Sequence, residues 1–88
     1  FFKPDTERFP CLRLAFDAMQ RGGTATAILN AANEIAVQAF LENKARFLQI
    51  PQTIESALNM MSIVDNPTIS DIDSADKEAR DIARGILQ

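Results

Sequence analysis

Residues 29–37 read Leu29-Asn30-Ala31-Ala32-Asn33-Glu34-Ile35-Ala36-Val37, an apolar run at helical spacing interrupted by two carboxamides and a carboxylate. Followed outward, the same spacing predicts a helix from Thr24, its expected N-cap, to about Asn43. Ile28, Leu29, Ala32, Ile35, Ala36, Ala39 and Phe40 cover roughly half of its circumference, and a helix that apolar is central, with neighbours on several sides. On the remaining arc Thr26, Asn30, Asn33 and Glu34 share a face that continues into Val37 and Leu41. A solvent face does not usually turn apolar one turn later, so this polar patch is expected to be largely buried against protein.

The flanking segments supply the helices that such a centre needs. A first helix is expected from near Pro10 to Gly22-Gly23, with Leu12, Ala15, Phe16 and Met19 as its inward stripe. A third carries Pro51 in its first turn and Ile50, Ile54, Ala57, Leu58 and Met61 inward. Asp65-Asn66-Pro67 is turn chemistry. A last helical region runs from about Ser70 with Ile72, Ala75, Ala79, Ile82, Ala83 and Ile86 inward, and a bend at Ser74-Ala75 would let Asp76 restart it as a cap. No segment alternates with period two. The expected fold is therefore all-α: a single small domain of four to five helices, a bundle or left-handed superhelix. Residues 1–9, containing Pro4, form an extended leading segment, and residues 10–88 form the helical domain.

Composition narrows the function classes. The 88 residues are 47% hydrophobic and 24% charged, with a net charge of -3, which gives no basic footprint for nucleic acid. No apolar run approaches the ~20 residues that span a bilayer, so no membrane partner is expected. Histidine is absent and Cys11 is the only cysteine, which removes a zinc site, an imidazole base and an internal disulfide. Cys11 then reads as a small buried hydrophobe. Asp71-Ile72-Asp73-Ser74-Ala75-Asp76 resembles the opening of a calcium loop, but the sixth position is Asp76 and the twelfth Ile82, so helix-start carboxylates explain it better. Gly22-Gly23-Thr24 reads as a helix stop followed by a cap rather than an anion site, and no glycine-rich nucleotide loop exists. No catalytic, cofactor-binding or metal-binding residue is expected in this chain.

The polar patch therefore reads as a structural latch made of Asn30, Asn33, Glu34 and Arg8. The carboxamides would hold the segment from Thr6 to Cys11 against the second helix, and Glu34 would pair with Arg8 or Arg13. Phe1, Phe2 or the segment from Met60 to Val64 is expected to form an exposed apolar patch.

Pro4-Asp5-Thr6-Glu7-Arg8-Phe9-Pro10-Cys11-Leu12-Arg13-Leu14-Ala15, then Leu29-Asn30-Ala31-Ala32-Asn33-Glu34, Ala39-Phe40-Leu41, and Phe47, Ile50 and Pro51 carry a resemblance. In this order and spacing they are similar to the C-terminal domain of the 1-deoxy-D-xylulose 5-phosphate reductoisomerase family, over roughly residues 2–51. Asp76, Ala79, Arg80 and Ala83 extend it more loosely. The resemblance implies a longer parent that uses NADPH and a divalent ion (Mg, Mn or Co) to make 2-C-methyl-D-erythritol 4-phosphate in isoprenoid biosynthesis. It also implies upstream dinucleotide-binding and catalytic domains as partners in the same chain, a homodimeric parent, and a cytoplasmic location in bacteria or a plastid-type organelle in eukaryotes. The family's catalytic and cofactor motifs have no counterpart here, and the opening on Phe1 fits a fragment of that parent. The alternative is a free-standing helical interaction module binding through Met60, Met61, Ile63 and Val64.

Overall fold

The computed structural model describes residues 10–87, which form four helices: α1 (Pro10–Arg21), α2 (Ala25–Leu41), α3 (Gln49–Met60) and α4 (Ile69–Leu87). The expected all-α class holds. α2 touches each of the other three helices, as its broad apolar arc requires. Its inner side carries Ala25, Ile28, Ala32 and Ala36, all fully buried. Against it lie Ile50, Ile54 and Ala57 of α3 and Ala75, Ala79 and Ala83 of α4. The meeting of α2 and α4 is a seam of alanines, whose small side chains let the two helix backbones approach closely.

Local chemistry sets the helix ends. Gly22 and Gly23 both take positive φ (+71° and +57°), conformations that glycine adopts without a Cβ clash. At the end of α2, Asn43 is left-handed (φ +60°), Lys44 N–H donates to the Ala39 carbonyl at 2.8 Å, and Asn43 N–H donates to that of Phe40 at 3.1 Å. This is a Schellman stop with Asn in the usual glycine position. At the start of α4, Thr68 N–H donates to the Asp71 carboxylate (3.0 Å) and Asp71 N–H to the Thr68 hydroxyl (3.1 Å). That reciprocal pair works as a capping box and gives the Asp71 carboxylate a structural role.

Several expectations are corrected. α4 runs unbroken through Ser74-Ala75, and Asp76 sits inside it rather than capping a second piece. Ala75 is itself part of the alanine seam against α2, so the helix continues through it. In α1 the buried residues are Leu14 and Ala18, whereas Phe16 and Met19 are 41% and 68% exposed. Leu14 and Ala18 face α2 and α3, and the side of α1 that carries Phe16 and Met19 faces away from them. Ile72 and Ile86 lie at the margins of the α4 seam and stay partly exposed. Cys11 is exposed, not a core residue.

Thr24 is fully buried but its hydroxyl does not cap α2. It accepts the Val64 N–H at 3.0 Å, while Thr24 N–H donates to the Val64 carbonyl at 3.1 Å. These two bonds clasp the α1–α2 turn to the α3–α4 connection, across 40 residues of sequence. Gly23 lies directly beneath: a Cβ placed there would overlap the Val64 carbonyl oxygen and stand 3.0 Å from its carbon.

Candidate functional site: the outer face of α2

At about 100° per residue, Asn30, Asn33, Val37 and Leu41 fall on one narrow line of α2, opposite the buried line of Ala25, Ile28, Ala32 and Ala36. That placement overturns the expected burial of the patch: Asn30 and Glu34 are exposed and Asn33 is half-buried. The reason is geometric. α1, α3 and α4 pack mainly on the alanine-rich side and leave the Asn30 line only partly covered, at Asn33 and Val37. Arg8 and residues 1–9 as a whole lie outside the described residues.

Glu34 sits at the edge of this face nearest α4. Its carboxylate accepts from Arg80 Nη2 at 2.6 Å, not from Arg13. Arg80 also donates through Nε to Asp76 at 2.9 Å, one helical turn earlier on α4. The two carboxylates, Asp76 foremost, push the Arg80 guanidinium pKa above its ordinary value. Arg13 instead binds Glu55 of α3 at 2.8 Å, and Arg21 binds Asp65 at 2.7 Å. Sequence reasoning missed Arg80 as the partner of Glu34. The Asp76–Arg80 spacing of four was the available signal, since it marks a side chain already fixed on one face of α4.

Beyond Leu41 the surface turns apolar. Phe40 and Phe47 meet edge to face with ring centres 5.6 Å apart, yet remain 38% and 68% exposed. Their neighbours Leu41 and Leu48 are 68% and 67% exposed. Phe40 was expected to face inward; it lies at the rim instead. The expected patch at Met60 to Val64 divides: Met61 is buried in the core, Ile63 is half-buried, and Met60 and Val64 are exposed. A module binding through all four would have to expose a core methionine. Among the described residues no group of three or more Cys, Asp or Glu side chains converges as a metal site. No helix there is long and apolar enough to cross a membrane.

Fold and surface together define a small all-α domain built around one central helix, with exposed apolar residues at the end of α2 and the start of α3. The chain belongs to the DXP reductoisomerase C-terminal domain family, whose model matches residues 1–82. It is 48% identical over 87 residues to the 1-deoxy-D-xylulose 5-phosphate reductoisomerase of Bacillus pumilus, covering 99% of this chain and 23% of that protein. It is 56% identical over 80 residues to that of Methylobacillus flagellatus, covering 91% of this chain and 20% of the relative. Among solved structures, the Zymomonas mobilis 1-deoxy-D-xylulose 5-phosphate reductoisomerase in complex with NADPH matches all of this chain with a TM-score of 0.89 and 41% identity. The chain spans 23% of that structure.

Proposed function

We propose that this chain serves as the C-terminal helical domain of a longer 1-deoxy-D-xylulose 5-phosphate reductoisomerase and supports the catalytic part of that enzyme without contributing a reacting group. The observation that carries the proposal is the match of the whole chain to 23% of an NADPH-bound reductoisomerase. The chemistry of this chain agrees. It has no histidine. Glu34 and Asp76 are engaged by Arg80, Glu55 by Arg13, and Asp71 by a helix cap. NADPH, the divalent ion and the homodimer interface then belong to the upstream part of the parent, which rearranges and reduces its substrate to 2-C-methyl-D-erythritol 4-phosphate.

Calorimetry and a turnover assay test this together. The 88-residue chain should show no saturable heat with NADPH or Mn²⁺, while the full-length protein should oxidise NADPH when given 1-deoxy-D-xylulose 5-phosphate. Tight uptake of either ligand by the 88 residues alone, or a full-length protein without that turnover, would sink the proposal.

A further inference from the structure

We propose that the apolar end formed by Phe40, Leu41, Phe47 and Leu48 is the surface on which this domain docks against the polypeptide upstream of Pro10 in the full-length protein. The inference rests on the reading of the chain as a C-terminal domain. Exposure supplies the first argument. Leu41, Phe47 and Leu48 are each about two-thirds exposed, and the edge-to-face contact of Phe40 with Phe47 brings the two chain segments that carry the four residues together. A cluster of that kind marks a contact site.

The place where the chain joins the bundle supplies the occupant. Pro10, the first described residue, lines the same surface depression as Leu48 and Pro51. Pro10, where α1 begins, therefore lies beside Leu48, one of the four exposed apolar residues. Relatives are four to five times longer than this chain, which covers 20–23% of them, so a large body of protein connects at this point. In the loop between the two halves of the cluster, Glu42 pairs with Lys44 at 3.2 Å and accepts from Gln38 at 2.8 Å, which satisfies that carboxylate within the domain. The polar line of Asn30 and Asn33 leads into Leu41 on the same face of α2 and offers amide donors and acceptors at the rim of an apolar contact. This accounts for a helix face that turns from carboxamide to leucine and is exposed at both ends, at Asn30 and at Leu41.

Cysteine accessibility in the full-length protein tests the inference. On a Cys11→Ser background, Leu41→Cys, Phe47→Cys and Leu48→Cys are compared with Met19→Cys and Ile69→Cys, which replace residues 68% and 81% exposed on other parts of the surface. Maleimide labelling is followed by mass spectrometry at each site. Docking predicts that positions 41, 47 and 48 label at least about tenfold more slowly than 19 and 69, at a rate that does not change on dilution. Equal rates at all five positions would overturn the proposal. Protection that disappears on dilution would overturn it as well, since the cover would then be a second copy. NADPH turnover of the unsubstituted full-length protein is measured alongside: its loss would remove the parent reading, whereas turnover with unprotected cysteines would remove only the docking site.

Discussion

Replacing Gly23 with alanine should be far more damaging than the same change one residue earlier. Both glycines have positive φ, so each substitution carries the left-handed penalty of about 1–2 kcal/mol. At Gly22 that is the whole cost, because a Cβ there meets nothing within 4 Å. At Gly23 the Cβ would overlap the Val64 carbonyl oxygen, so the α3–α4 connection must withdraw. Withdrawal breaks the clasp, Thr24 N–H to Val64 oxygen and Val64 N–H to Thr24 hydroxyl. With about 0.5–1.5 kcal/mol for each of the two bonds, Gly23→Ala should cost roughly 2–5 kcal/mol in all. For a domain of this size 1 kcal/mol corresponds to about 4–8 °C in Tm, so Gly22→Ala should lower Tm by about 4–16 °C. Gly23→Ala should remove a large part of the ~5–15 kcal/mol typical of a folded domain. Urea unfolding of the 88-residue chain measures both. Equal losses at the two positions would refute the clasp as a determinant of stability.

Three further outcomes follow from individual side chains. Thr53 is buried and its hydroxyl has no hydrogen-bond partner among the described residues, so Thr53→Val should be neutral or stabilising by up to ~1 kcal/mol in the same urea assay. Arg80→Met should lower Tm modestly at low ionic strength, and the difference should shrink in 1 M NaCl, where the Debye length falls to ~3 Å; a salt-independent loss would mean that Arg80 acts by packing. Partial burial pushes the Cys11 thiol above its ordinary pKa even though the residue as a whole is exposed. Because the folded pKa is the higher one, that contribution to stability is complete below the unfolded thiol pKa and declines as pH rises through the folded one. Iodoacetamide rates should accordingly rise at higher pH in the folded chain than in urea, and coincident profiles would contradict this.

The sequence disclosed the helices better than their contacts. Pro10 and Gly22-Gly23 bracket α1, and Asn43 marks the stop of α2, because these signals act within one turn of the chain. What escaped depends on partners distant in sequence. Periodicity pointed to one stripe of α1, Leu12, Ala15, Phe16 and Met19, but the structure buries Leu14 and Ala18 instead, because the packing of α2 and α3 decides which side is covered. The Thr24 hydroxyl looked like a local cap until Val64, forty residues on, took it. The bend considered at Ser74-Ala75 does not occur, because Ala75, Ala79 and Ala83 are buried in the shared core along one continuous helix. The Asn30–Glu34 face was recognised as unusual but given the wrong burial, because the sequence shows that a face is odd without showing which helices fail to reach it.

Removal of the domain from its parent tests the account most directly. NADPH oxidation with 1-deoxy-D-xylulose 5-phosphate, and Tm, are compared between the full-length protein and a version ending just before Pro10. A supporting domain docked through Phe40, Leu41, Phe47 and Leu48 predicts a shortened protein with a lower Tm and reduced turnover, because its own side of the interface is left exposed to water. A shortened protein with unchanged kcat and unchanged Tm would contradict it.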